Sequence, residues 1–91
     1  MSSIDTINKA IQLTKERVSM APDFAIFDSV LNQLNYLKAV IEGRVDRSRL
    51  NKIIVGHYAV HEFEETDPEY SRALKDCQNI AVLLSQGKRI P

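Results

Sequence analysis

The sequence is short of the features that mark several protein classes. Its one cysteine, Cys77, excludes an intrachain disulfide and with it a disulfide-stabilised secreted scaffold. Lys plus Arg and Asp plus Glu both number 12, so no excess of basic charge favours binding to nucleic acid or to a membrane surface. No apolar run approaches the ~20 residues of a membrane span. The first residues lack the basic segment and the following apolar run that are typical of a signal peptide, so we expect a cytoplasmic protein.

The common catalytic motifs are also missing from the sequence. It contains no Gly-x-Gly-x-x-Gly, no Walker A pattern and no Gly-x-Ser-x-Gly elbow. Cys77 lies among apolar residues at helical spacing, which predicts a buried, unreactive thiol rather than a nucleophile. We therefore expect neither an enzyme nor a cofactor.

Glycine and proline are few, three of each, and most of them divide the chain. Apolar residues make up 44% of the sequence, enough for the core of a single domain over residues 1–91. Four segments show the apolar spacing of helices. They run over about 3–20, 23–42, 47–64 and 68–86. Short connections between them predict an all-α fold, a small antiparallel bundle of about four helices.

Local signals place several ends of these helices. Ser2 or Ser3 can cap the first helix, and Asp67 can cap the fourth, with Pro68 at its first position. Gly43 occupies the place of a left-handed C-terminal cap. The last residues, 88–91, are expected to form a frayed tail.

The third segment is the most ambiguous. Residues 53–60 are rich in β-branched and aromatic side chains and could form a strand. No second strand is available to pair with it, and a lone strand is not stable, which favours a helix. Asp46 is then the expected N-cap. Gly56 costs such a helix roughly 1 kcal/mol relative to Ala, and would permit close approach of another helix.

Two histidines in this segment suggest an alternative function. His57 and His61 are four residues apart and share a helix face, which Glu65 extends, and two His with a carboxylate can hold zinc. The spacing is not the His-Glu-x-x-His pattern of zinc hydrolases. A small metal-binding protein and a helical adaptor with an exposed apolar face therefore stay as alternatives, beside the simpler interpretation of two surface histidines.

Residues 61–70 carry five carboxylates and no Lys or Arg. Asp67 and Glu69 suit the positive end of the fourth helix. Glu62, Glu64 and Glu65 instead stand where the preceding helix ends, and there the helix dipole disfavours acids. Acids that break a local rule indicate a functional site, whereas the simpler interpretation is a solvated turn.

Residues 59–76 resemble a known family. They contain Glu-Phe-x-Glu-Thr-Asp-Pro-Glu followed by Ser-Arg-Ala-Leu-Lys-Asp, and are similar to the small immunity proteins paired with NAD(P)+ glycohydrolase toxins of bacterial type VI secretion systems. Residues 33–37 and 46–48 are also similar. The resemblance implies a helical antitoxin that binds the catalytic domain of a toxin encoded by an adjacent gene and blocks its active site.

The toxin-binding residues would then lie along the acidic stretch. A pocket that binds the phosphates of NAD offers positive charge, and carboxylates can occupy it by imitating those phosphates. The same attraction between opposite charges speeds the encounter of the two proteins. Aromatic neighbours are favoured as anchors of such interfaces. The candidate residues are Glu62, Glu64, Glu65, Asp67, Glu69, Tyr58, Phe63, Tyr70, Arg72 and Asp76.

Overall fold

The computed structural model describes residues 2–91, and within them the fold is all-α. The helices are α1 (Ser3–Met20), α2 (Ala25–Ile41), α3 (Val55–Tyr58) and α4 (Pro68–Ser85). A 3₁₀ turn, Leu50–Lys52, precedes α3, and a π-helix, Ala59–Phe63, continues it. No strand occurs in residues 2–91, so the prediction of a four-helix fold is confirmed. None of the helices described is long and apolar enough to cross a membrane.

The local end signals of α1, α2 and α4 are confirmed. Ser2 Oγ accepts a hydrogen bond from the backbone N–H of Asp5, and Asp67 accepts one from the N–H of Tyr70. Gly43 and Gly87 follow α2 and α4 with φ of 75° and 71°, a left-handed conformation that favours glycine. These signals act within a few residues, so the sequence displays them directly.

The predicted start of the third helix at residue 47 is wrong. Asp46 does not cap a helix, because its Oδ1 accepts hydrogen bonds from the N–H and the hydroxyl of Ser48, at 3.0 and 2.6 Å. Bonding to a residue two positions on closes a turn in place of a helix start. The chain therefore crosses the end of the bundle as a loop, and α3 begins only at Val55.

Contacts between the helices show an antiparallel arrangement. The N–H of Ser3, at the start of α1, donates to the carbonyl of Pro91 at 3.0 Å, while Arg17 near the end of α1 bonds Asp67 at the start of α4. The prediction of a frayed tail is therefore wrong. Ile90 packs against the core and the last carbonyl is bonded to α1.

One apolar core joins all four helices and the π-helix. Phe27, Phe63 and Tyr70 form an aromatic cluster in it, with ring centroids 4.8–6.0 Å apart. Cys77 is fully buried, and burial raises the pKa of its thiol to about 12. The prediction of a buried thiol is therefore confirmed, and the raised pKa favours its protonated, unreactive form at neutral pH.

Candidate protein-binding surface

Two of the predicted acids are bound to an arginine of this chain. Arg17 Nε and Nη2 lie 2.8 and 3.1 Å from the two carboxylate oxygens of Asp67, and Nη2 lies 3.7 Å from Glu69. The same guanidinium stacks over the Tyr70 ring, 5.1 Å from its centroid. The hydrogen bond to Arg17 lowers the pKa of Asp67 and raises that of Arg17. Asp67 therefore joins α1 to α4 and is not a free carboxylate.

The remaining acids of the stretch divide into one paired and two unpaired groups. Glu64 forms an ion pair with Lys75 of α4, with Oε1 and Nζ 2.6 Å apart. This pairing gives a structural reason for an acid at the end of the preceding helix. Glu62 and Glu65 are exposed and have no ion pair among residues 2–91. They are the acids of the stretch that are available to a partner.

The three aromatic candidates are placed differently from the acids. Tyr70 is fully buried and Phe63 nearly so, because both project from their helices into the core. Their burial removes these two rings from the candidate surface. Tyr58 is half-buried, with its hydroxyl 3.4 Å from that of Ser29 on α2.

Arg72 and Asp76 lie on the exposed side of α4. Asp76 is nine residues beyond Asp67, so it stands about 13 Å further along the helix axis. It lines a groove with Ser3 and Thr6, near the start of α1. The structure thus brings Arg72 closer to the acidic stretch than Asp76.

The start of α3 is held by two glutamines that the sequence reasoning missed. Gln78 of α4 accepts a hydrogen bond from the N–H of Gly56 at 3.0 Å and donates one to the carbonyl of Ile53 at 2.9 Å. Gln33 of α2 accepts from the N–H of Ile54 at 2.6 Å. These side chains satisfy backbone groups that a local cap would otherwise satisfy. The partners are 21 to 25 residues apart in the chain, so no local pattern reveals them.

Gly56 also lies in close contact with α4. A Cβ atom built on Gly56 would lie 2.8 Å from Cγ and 2.9 Å from Cβ of Gln78. Only glycine leaves room for the glutamine to reach the backbone of α3. The prediction that Gly56 permits close helix approach is confirmed.

The outer side of α3 and the π-helix carries apolar and imidazole groups. Ile54 is 45% exposed and Val60 49% exposed. The rings of His57 and His61 lie against each other, with centroids 4.2 Å apart, and both residues are exposed. We call these four residues, Ile54, His57, Val60 and His61, the α3 face.

The two histidines are close enough to share a ligand, but they lack a third donor. Across residues 2–91, no three His, Cys, Asp or Glu side chains come together in a group that could hold a metal ion. Glu65 therefore does not complete a site with His57 and His61. The alternative of a metal-binding protein has no support from this geometry.

Comparison with known proteins identifies the family. The sequence profile of the Tsi6 family matches residues 2–82, a range that contains every candidate residue named above. The chain belongs to the Tsi6 family. A curated relative, the immune protein Tsi6 of Pseudomonas aeruginosa strain PAO1, is 37% identical over 91 residues, which cover 99% of this chain and 97% of the relative.

Solved structures of Tsi6 share the fold over nearly the whole chain. A structure of Tse6 in complex with Tsi6 matches with a TM-score of 0.92 at 36% identity, covering 98% of this chain and 96% of the other. A structure of Tsi6 from P. aeruginosa matches with a TM-score of 0.89 at 36% identity, covering 100% and 96%. The similarity that is strongest in sequence over residues 59–76 is thus accompanied by a shared fold over nearly the whole chain.

Proposed function

We propose that this protein is an immunity protein that binds the catalytic domain of a cognate type VI secretion effector and blocks its active site. The observation that carries the proposal is its similarity, in sequence and along the whole fold, to Tsi6, which is found in complex with Tse6. The protein inhibits by occlusion and has no catalytic role of its own. Its partner is encoded by an adjacent gene.

The acidic stretch contributes to binding through its unpaired carboxylates. Glu62 and Glu65 are exposed and free of ion pairs in the described chain, whereas Glu64, Asp67 and Glu69 lie close to cations of this protein. An effector that degrades NAD(P)+ must hold phosphates with cations or N–H donors, and the two free carboxylates suit such a pocket. Because such a toxin consumes a cytosolic dinucleotide, the inhibitor acts in the cytoplasm.

The proposal is tested by rescue and by direct binding. Expression of the adjacent-gene effector domain should arrest growth and deplete NAD(P)+, and co-expression of this protein should restore both. Purified protein should bind the purified domain and inhibit its NAD(P)+ hydrolysis. If the wild-type protein neither binds the domain nor protects the cell, the proposed function is wrong.

The acidic contribution has its own variant series. Replacing Glu62 and Glu65 together by Gln should weaken binding, and replacing both by Lys should weaken it further, because reversal adds repulsion to the lost attraction. Glu42→Lys, at the C-terminal end of α2, is the control for charge reversal away from the acidic stretch; it also removes the ion pair of Glu42 with Arg44 and should bind like wild type. If the wild type, the Gln variant, the Lys variant and the control bind with equal affinity, Glu62 and Glu65 lie outside the interface. The proposed immunity role would be unaffected by that result.

A further inference from the structure

The exposed sides of α1, α2 and α4 consist mainly of charged and amide groups, with Met20 at the end of α1 and Val82 on α4 as single apolar exceptions. Solvent-exposed positions on α1 include Lys9, Gln12, Lys15 and Glu16. Those on α2 include Asp28, Asn32 and Asn35, and those on α4 include Glu69, Arg72, Lys75, Asp76 and Asn79. This is the usual composition of a helix surface that faces water.

The α3 face differs from these surfaces. Its four residues are two branched aliphatic side chains, each close to half exposed, and two imidazoles in contact, with their planes tilted by 39°. They follow the winding of one short segment, so they form a continuous uncharged strip when the imidazoles are neutral. Uncharged strips bordered by polar groups are typical of the centre of a protein interface.

The backbone beneath this strip is fixed in position. Gln33 and Gln78 accept hydrogen bonds from the backbone N–H groups of Ile54 and Gly56, and Gly56 packs directly against the Gln78 side chain. Further along, Ser71 of α4 donates a hydrogen bond to the carbonyl of Ala59 at 2.9 Å. A strip held by two neighbouring helices loses little conformational freedom on binding, which favours affinity. The π-helix winding is itself common at functional sites.

The charges at the edge of the strip indicate the chemistry of its partner. Glu62 and Glu65 follow Val60 and His61 within one turn and have no ion pair in residues 2–91. No lysine or arginine occurs between Ile54 and Glu65. The matching surface is therefore apolar at its centre and positively charged at its edge. An effector domain with a phosphate-binding pocket presents cations of this kind beside its active-site opening.

We propose that the α3 face is the centre of the effector-binding interface, with Glu62 and Glu65 at its edge. The inference rests on the proposed function, since its occupant is the catalytic domain of the cognate effector. Ile54 and Val60 supply the apolar contact, and His57 and His61 add two adjoining aromatic rings. Asp67, Glu69 and Tyr70 belong instead to the contacts that hold α1 to α4.

Two exposed valines allow a matched test. Val60 lies on the α3 face, whereas Val82, 40% exposed on α4, has Asn79, Ser85 and Gln86 beside it on the helix surface. Val60→Arg should weaken binding to the purified effector domain by about 30-fold or more, the effect of an interface hot spot. Val82→Arg should leave the Kd within about threefold, the size of a peripheral effect. Circular dichroism and thermal unfolding should show both variants folded like the wild type.

A second variant guards against a local effect of Val60 on the π-helix. Ile54→Lys lies outside the π-helix and should also weaken binding by at least about tenfold. If both variants bind as tightly as wild type while Glu62→Lys with Glu65→Lys does not, the α3 face is outside the interface and only this inference is wrong. If Val82→Arg weakens binding as much as Val60→Arg, the inference is equally wrong. If wild-type protein itself fails to bind, the proposed function is wrong as well.

Discussion

At the scale of single residues, two buried hydroxyls show how the core accommodates polar groups. Thr14 donates its proton to the carbonyl of Ala10 at 2.7 Å, so the hydroxyl of Tyr70, 2.8 Å away, must be the donor to Thr14. Burial raises the pKa of Tyr70 to about 12, which keeps this donor protonated at neutral pH.

Removing the donor and removing the acceptor of the bond between Tyr70 and Thr14 should destabilise the protein by different amounts. Tyr70→Phe removes the donor and leaves Thr14 bonded to Ala10, so we expect a loss of about 1 kcal/mol. Thr14→Val keeps the buried Tyr70 hydroxyl but removes its acceptor, which should cost about 2 kcal/mol. Urea unfolding at pH 7 measures both free energies. A larger loss in Tyr70→Phe than in Thr14→Val would contradict the assigned direction of the bond.

The bond between Arg17 and Asp67 should make stability depend on acidic pH. Because the folded-state pKa of Asp67 is lowered, its stabilising contribution is present above the unfolded pKa of about 3.9 and is lost as pH falls through the folded value. Arg17→Met should cost about 1.5 kcal/mol at pH 7. It should also flatten the fall of the free energy of unfolding below about pH 4. If the free energy of unfolding falls with pH in the same way for the variant and the wild type, the bond between Arg17 and Asp67 is not the cause of the acid dependence.

At the scale of helices, the structure shows which parts a sequence predicts well. The start of α1 and the start of α4 follow from Ser2 and Asp67, whose side chains bond backbone only three residues away. The start of α3 depends on Gln33 and Gln78, which lie on other helices and become neighbours only in the folded chain. The same limit applies to the candidate site, since Asp67 and its partner Arg17 are 50 residues apart in the chain.

The packing of α3 on α4 gives a prediction for Gly56. In an isolated helix Gly56→Ala would be stabilising by roughly 1 kcal/mol. Here the new methyl group meets Cβ of Gln78, which is tied to its own backbone and cannot turn away. We expect a net loss of about 1–3 kcal/mol, the range for overpacked sites. Hydrogen exchange should show the loss concentrated in α3, and a variant at least as stable as wild type would contradict the close contact.

At the scale of the whole molecule, a net charge of zero hides a separation of charge along its length of 35 Å. The free acids Glu62 and Glu65 lie by the start of α4. At the other end, the loop after α2 and the tail bring together cations that have no ion pair in residues 2–91. These are Arg47, Lys88 and Arg89.

This separation should appear in the kinetics of effector binding. If the acidic end meets a basic pocket, raising NaCl from about 50 to 500 mM should slow association about tenfold and change dissociation less. Glu62→Lys with Glu65→Lys should abolish this salt dependence, while Lys88→Glu with Arg89→Glu, at the tail, should preserve it. Stopped-flow experiments measure the association and dissociation rates. A wild-type association rate that does not change with salt would contradict electrostatic steering.

The π-helix over Ala59–Phe63 has a consequence for insertions and deletions in this family. A π turn accommodates one residue more than an α turn, and each residue of an α-helix advances roughly 100° around the axis. Deleting one residue in the π-helix would restore α winding without unravelling the segment. The positions on either side would keep nearly the same orientation, because the π turn holds the extra residue within a single turn. A change of one residue in length can thus be confined to the π-helix, where it alters which side chains face outward while α3 and α4 keep their packing, an alteration that no single substitution produces.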